Sequence, residues 1–281
     1  MSSLFRRRKA SQSINGMEDI RSKCGEQADG KSLSVVLPCF NEAKSIPGIL
    51  QRFAEVIDRN DVEIILVDNG STDNTQEVLE ELLPKYTFAR SVRVGINKGY
   101  GFGINSGLKV GKGRFLGWTH ADMQTDPVDV LRGFSIIEKS NEPSRTCVKG
   151  WRYGRAMSDN LFTIGMALFA SVILWAPLFE INAQPNIYPR EFFEKYNEPP
   201  VDFSFDLYYY FQARKDRLTM KRICVAFGKR IHGQSHWNIN WQSKLKFIRR
   251  TVEFTFKLRS RLSRLHKSGS EDKRFPPSYW N

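Results

Sequence analysis

Cysteine is scarce in this chain, and its placement excludes two common ways of stapling a fold. Cys24, Cys39, Cys147 and Cys224 are scattered and form no C-x-x-C pair. Neither a zinc site nor a disulfide framework is indicated, and a reducing cytoplasm fits best. No apolar stretch follows the first basic cluster: Arg6 to Lys9 gives way to polar Ser11 to Gly16, so the start does not read as a secretory signal. A transmembrane bundle is also absent, and one charge-free run, Leu161 to Phe179, stands alone. Acidic residues are in deficit, 30 Asp and Glu against 43 Lys and Arg, for a formal net charge of +13. The excess collects at the ends, at Arg6 to Lys9 and between Lys244 and Lys267. Such a field favours a polyanionic surface. With no recognisable nucleic-acid module beside it, nucleic acid is not expected; the basic tail suits an anionic membrane surface or, equally, a solvated helix packed on its own domain.

What remains is an ordinary globular composition, 41% hydrophobic and 26% charged over 281 residues. Residues 1–31 read as a disordered basic leader, 32–236 as the folded domain and 237–281 as a basic amphipathic tail. Within the domain, 32–150 alternate short β-branched runs with helical periodicities, the pattern of βαβ units on a parallel sheet. Leu33 to Leu37, Glu63 to Val67, Ser91 to Val94 and Gly113 to Gly117 are predicted strands. Helices are predicted over Ala43 to Asp58, from a capping box at Asp73 and Gln76 through Leu83, and over Tyr100 to Val110. In the remainder, 151–236, Leu161 to Phe179 would make about 28 Å of helix. Its polar and proline residues leave three readings open: a transmembrane span, a helix on a membrane or lining an acceptor cavity, or plain core. From Asn238 to His266, apolar residues at roughly helical spacing predict a basic amphipathic helix, although Val252 to Leu258 also alternates like a strand.

Ligands bind such sheets outside the carboxyl ends of the strands. Polar clusters fall there: Pro38 to Glu42, Asp68 to Asp73, and the alternating His120, Asp122, Gln124 and Asp126. Taken singly, each has a plain explanation as a helix cap or an Asx turn. Asp126, before Pro127, suits a helix cap. Together, Val35-Val-Leu-Pro-Cys-Phe-Asn-Glu42, Ile65-Leu-Val-Asp-Asn-Gly-Ser-Thr-Asp73, Asn97-Lys-Gly-Tyr-Gly-Phe-Gly-Ile-Asn105, Gly111-Lys-Gly-Arg114 and His120-Ala-Asp-Met-Gln124 resemble the inverting family-two glycosyltransferases of GT-A fold. That fold is α/β, a mostly parallel central sheet with helices on both faces. The nearest branch is similar to the dolichyl- and polyprenyl-phosphate sugar synthases. The likeness continues through Gly150 to Tyr153, Asn182 to Arg190, Asp202 to Asp206 and Arg230 to Ser235, and so covers about 33–236.

The resemblance implies roles. Pro38, Asn41, Glu42 and Asp68 would border the nucleoside of a nucleotide sugar, and Lys98 and Gly99 the nucleotide; turn formation remains the alternative for Asn41 and Asp68. The family's D-x-D motif holds a divalent cation, Mn²⁺ or Mg²⁺, on the diphosphate. Asp122 matches its second carboxylate and Gln124 a further ligand position, whereas His120 replaces the first carboxylate. Imidazole suits Mn²⁺ better than hard Mg²⁺. His120 therefore ligates Mn²⁺ directly, sits behind the ligands, or marks a lost metal site. Arg152 and Arg230 match phosphate-binding arginines, and Arg155 either assists or forms a surface salt bridge. Asp202 and Asp206, four apart on a predicted helix, share a face. Asp206 matches the family's acidic position and is the candidate base, and Asp202 also suits a helix cap. Asn182 and Gln184 match the acceptor-side loop, and His232 and His236 flank Gly233 without an assigned role.

Three functions compete. The first is inverting transfer from a nucleotide sugar to a polyprenyl phosphate or other membrane-held acceptor, by an enzyme peripheral to the cytoplasmic face of a membrane. The second moves the sugar to a hydroxyl of a polysaccharide or surface glycan, with Asp206 as base. The third is a nucleotide-sugar-binding protein without catalysis.

Overall fold

The computed structural model describes residues 30–155, 157–196, 198–228, 230 and 241–267. The basic leader, His232, His236 and the last fourteen residues lie outside the described residues.

Strand β1 (Leu33–Cys39) is apolar almost throughout because both of its faces are covered, as parallel strands require. It pairs in parallel with β2 (Val62–Asn69) and β4 (Phe115–Trp118), and β2 with β3 (Ala89–Val94). Beyond β4 the order continues through β6 (Asn186–Pro189), β5 (Thr146–Tyr153) and β7 (Thr219–Ala226), giving β3-β2-β1-β4-β6-β5-β7. Only β6 runs antiparallel to its neighbours, placing Asn186 beside both Trp118 and Lys149. Helices α1 (Ile46–Val56), α2 (Thr75–Leu82) and α4 (Val128–Glu138) cover one face, where Leu33, Val35 and Leu37 meet Phe53 and Phe134. On the other face, α3 (Tyr100–Val110), α5 (Met157–Leu174), α6 (Arg190–Glu194) and α7 (Ser204–Lys215) pack over Val36, Ile65 and Trp118. Helix α8 (Trp241–Lys267) lies against α5 and α7. This mostly parallel sheet with helices on both faces is the architecture expected from the sequence.

Local differences have local causes. The Asp73 capping box does not form: Asp73 Oδ1 accepts from the Thr75 N–H at 3.0 Å, and Gln76 turns outward to Glu80. The run from Leu161 begins its helix earlier, at Met157, and ends at Leu174, because Trp175 takes a left-handed φ of 50°. Among the described residues no helix is long and apolar enough to cross a membrane. Val252 to Leu258 is helical within α8, not a strand.

Candidate active site

The carboxyl ends of β1, β2, β4 and β5 open onto one cavity of about 500 Å³. Pro38 and Glu42 line it from the β1 end, but Asn41 does not. Asn41 sits at φ 58°, a conformation Asn tolerates, and its Oδ1 accepts from the Thr72 N–H at 2.8 Å, joining the β1 and β2 turns. Asp68 likewise accepts from the Ser71 N–H at 2.9 Å and stays beneath the turn. Both residues shape the wall from behind. Lys98 is exposed, its ammonium 5.0 Å from the Phe102 ring centre, outside the cavity. Gly99 does reach the cavity, at φ 116°, with its α-carbon against the Val201 carbonyl where a side chain would collide.

The alternating run after β4 separates into four different environments. His120 is half-buried, and its Nε2, itself shielded from solvent, has no hydrogen-bond partner among the described residues. Burial holds this imidazole below its ordinary pKa and so favours the neutral form. Asp122 Oδ2 accepts from Arg230 Nη2 at 2.6 Å, while Arg230 Nη1 lies 3.4 Å from Glu42 Oε1. Burial raises the Glu42 carboxyl, opposed by a bond from Ser45 and by the Arg230 charge. Gln124 donates its amide to the Gly228 carbonyl at 3.1 Å, and the Gly228 N–H returns a bond to the Gln124 carbonyl at 2.9 Å. These two bonds stitch the segment after β7 to the run after β4 and carry Arg230 to Asp122. Asp126 points away, accepting from the Val128 N–H at 2.9 Å and pairing with Arg52 at 3.0 Å. It holds the first amide of α4 from one position before the cap residue, which is Pro127 and not the expected Asp126.

A second cationic wall comes from the end of β5. Arg152 Nε binds Glu180 Oε2 at 2.6 Å, and Arg155 Nη1 lies 4.0 Å from the other oxygen of that carboxylate. Both guanidiniums also lie near the face of Phe227, 5.4 and 5.6 Å from its centre. The expected surface salt bridge of Arg155 is therefore corrected: its side chain is 5% exposed and lines the cavity. One carboxylate shared by two arginines leaves a net positive charge there.

Asp206 forms the floor. Its Oδ1 accepts from Trp118 Nε1 at 2.9 Å and from Asn186 Nδ2 at 3.3 Å, and the Tyr100 phenol bonds it as well. Behind it, the buried Lys149 ammonium donates to Asn186 Oδ1 at 2.7 Å and to the Ala183 carbonyl at 3.0 Å. Burial pushes the Asp206 carboxyl up and the Lys149 ammonium down, each partly restored by the other's charge. Asp202 lies before α7, outside the helix, and accepts from the Ser204 N–H at 2.9 Å, so it does not share the helical face expected with Asp206, and the cap residue is Phe203. Asn182 lines the cavity, and Gln184 binds the Tyr100 hydroxyl. Sequence reasoning missed Glu180, Lys149 and Phe227. Tyr100 lay inside a quoted motif and carried a signal; Glu180 stands in a turn with none.

Among the described residues no three His, Cys, Asp or Glu side chains gather to hold a metal ion. His120 and Asp122 do both line the cavity. An unpartnered imidazole nitrogen with one carboxylate is a donor pair that fits a borderline divalent ion whose other ligands come from phosphate.

Comparison with known proteins bears on this cavity. The profile of Glycosyl transferase family 2 matches residues 34–216. A dodecaprenyl-phosphate galacturonate synthase of Rhizobium johnstonii is 31% identical over 133 residues, 46% of this chain and 38% of that protein. An undecaprenyl-phosphate 4-deoxy-4-formamido-L-arabinose transferase of Aeromonas hydrophila is 32% identical over 108 residues, 37% of this chain and 33% of that one. The chain thus matches about a third of the length of these curated relatives. Among solved structures, glucosyl-3-phosphoglycerate synthase from Mycobacterium tuberculosis, in complex with Mn²⁺, UDP and glucosyl-3-phosphoglycerate, superposes with a TM-score of 0.63 at 19% identity, covering 84% of this chain and 83% of that one. A mannosyltransferase from Pyrobaculum calidifontis, in complex with GDP-Man and Mn²⁺, gives 0.55 at 19% identity over 72% and 58%. At these identities the likeness establishes the fold.

Proposed function

The chain belongs to glycosyl transferase family 2, and from that premise we propose that it moves a sugar, with inversion, from a nucleoside diphosphate sugar to a polyprenyl phosphate. The observation that carries this reading is the convergence of Arg152, Arg155 and Arg230 on one cavity at the carboxyl ends of the strands. A leaving diphosphate and an attacking lipid phosphate both bring negative charge to the anomeric centre, and guanidinium forks match phosphate oxygens. The names of the partly matching relatives support the same acceptor class.

In the proposed reaction, an acceptor phosphate oxygen attacks the anomeric carbon from the face opposite the leaving group. The new C–O bond forms as the bond to the donor's phosphate oxygen breaks, and the electron pair departs with the nucleoside diphosphate. An anionic phosphate needs no base. Pro38, Glu42 and Gly99 border the donor, with Asn41 and Asp68 shaping that wall and Lys98 flanking it. Arg230, which bridges Glu42 and Asp122, exchanges a carboxylate for a phosphate oxygen when the donor enters. A divalent cation bound with the donor would be held by His120 and Asp122, with Gln124 beside them, and would supply Lewis acidity to the leaving group. We read the enzyme as peripheral to the cytoplasmic face of a membrane.

Asp206 on the cavity floor favours one second reading, in which the acceptor is a glycan hydroxyl whose proton passes to that carboxylate. Thermal shifts with GDP, UDP and dTDP sugars, with and without Mn²⁺ or Mg²⁺, identify the donor, since ligand binding raises apparent stability. Radiolabelled transfer from that donor to polyprenyl phosphate tests the reaction. Tight donor binding without turnover on any lipid or glycan acceptor would overturn it in favour of a binding protein.

A further inference from the structure

Helix α5 has two working faces. Asp159, Phe162, Thr163 and Met166 line the cavity, while Ala167, Ala170 and Leu174 are buried in the core. On its outer side Met157, Leu161, Ile164, Leu168 and Val172 are exposed, and Trp175 and Phe179 extend the exposed apolar surface past the helix end. Their spacing of three and four residues places the helical members on one stripe. Leu161 is 65% exposed and Val172 68%, values expected for charged surface positions and not for branched aliphatic residues, which are most often buried. Large apolar residues exposed together on one stripe mark an interaction surface, unlike the single exposed apolar residues that any protein surface carries.

The neighbouring helix supplies the charge. Phe256 of α8 meets Phe169 of α5 edge to face at 5.9 Å and is itself half exposed. The 27 residues of α8 hold nine Lys or Arg and a single acid, Glu253, which Arg249 pairs at 2.7 Å. Arg249, Arg250, Lys257 and Arg261 are exposed. An apolar stripe flanked by cations matches the boundary of a bilayer with anionic head groups. A second copy of this chain fits poorly, because pairing the stripes brings two basic helices together on molecules of net charge +13.

We propose that the outer face of α5, with the exposed basic residues of α8, docks the protein on an anionic lipid surface. Because the inner face of α5 lines the cavity, docking sets the lipid head groups one helix diameter, about 10 Å, from the arginine wall. A phosphate held on a lipid tail then reaches the cavity around α5 without leaving the membrane. The docking stands on its own observations; its use in delivering the acceptor rests on the polyprenyl phosphate reading.

Vesicle flotation of the full chain tests it. Wild type is expected to float with phosphatidylcholine vesicles containing phosphatidylglycerol and far less with phosphatidylcholine alone. The combined Leu161→Glu, Leu168→Glu and Val172→Glu variant should lose flotation, and Arg250→Glu with Lys257→Glu should weaken it by about tenfold or more. Unchanged circular-dichroism melts establish that these surface variants remain folded. Wild type that fails to float overturns the proposal, as does flotation untouched by the triple variant in its folded form. A dimer in solution that Leu168→Glu dissociates, without flotation, assigns the stripe to a second copy instead. Transfer to a short, water-soluble isoprenyl phosphate without vesicles should be unaffected by the triple variant. If that transfer is absent in wild type while flotation holds, the acceptor reading falls and the docking surface stands.

Discussion

Replacing Asp206 by Asn separates the two acceptor chemistries. The substitution keeps Oδ1, which accepts from Trp118 and Asn186, and turns the second oxygen into an NH₂. Lys149 loses its opposing charge but keeps its bonds to Ala183 and Asn186. The structural cost is therefore about 1–3 kcal/mol, in the range for one disturbed buried polar group, or a Tm lowered by about 2–4 °C per kcal/mol. Burial raises the Asp206 carboxyl, so the fold favours its protonated form. That contribution is complete below the unfolded value of about 3.8 and is lost as pH rises through the higher folded value. Asp206→Asn should accordingly flatten the pH dependence of stability above about pH 4. For catalysis, a positioned general base contributes about 10²–10⁴-fold. Initial rates with radiolabelled donor should fall by that factor for a hydroxyl acceptor and by less than about tenfold for polyprenyl phosphate, which brings no proton to remove. Equal losses on both acceptors, in enzyme shown to be folded, would refute the reasoning and make Asp206 a support for the cavity.

Other perturbations probe the cationic walls and the backbone. Glu180→Gln removes the carboxylate shared by Arg152 and Arg155 and should destabilise the free protein by about 3 kcal/mol. Calorimetry should then show donor or pyrophosphate restoring Tm by more than in wild type. His120→Asp installs a second carboxylate beside Asp122 and should raise Mg²⁺-dependent transfer; rates measured over a Mg²⁺ and Mn²⁺ series that stay unchanged would remove His120 from the ion. Gly99→Ala puts a side chain at φ 116° against the Val201 carbonyl. A loss of about 1–3 kcal/mol in denaturant unfolding and a higher donor KM are expected.

Much of the fold was legible because each level of the sequence agreed with the next. Strands buried on both faces read as continuous apolar runs, and Tyr100 to Val110 begins and ends where its pattern predicts. Pro38, Glu42, Gly99, His120, Asp122, Arg152, Asp206 and Arg230, which the family resemblance singled out, all line one cavity. Less legible were the partners. Glu180 lies 28 residues beyond Arg152 in a turn with no periodic signal, yet its carboxylate sets the charge of that wall. Asn41 and Asp68 do not line the cavity: Asn41 ties the β1 turn to the β2 turn and Asp68 holds the β2 turn itself, an arrangement set by which amides lie in reach and not by residue type.

The sequence by itself determined which residues end the strands, which runs are apolar on both faces, and that cations outnumber acids, since all of these follow from local order and composition. Only the tertiary structure decided what those charges face. It set Arg230 across Glu42 and Asp122, Lys149 behind Asp206, and the apolar side of α5 outward with its other side on the cavity. Electrostatic and hydrophobic interactions depend on distance and burial through space, and residues far apart in the chain acquire both only when the sheet brings their ends together.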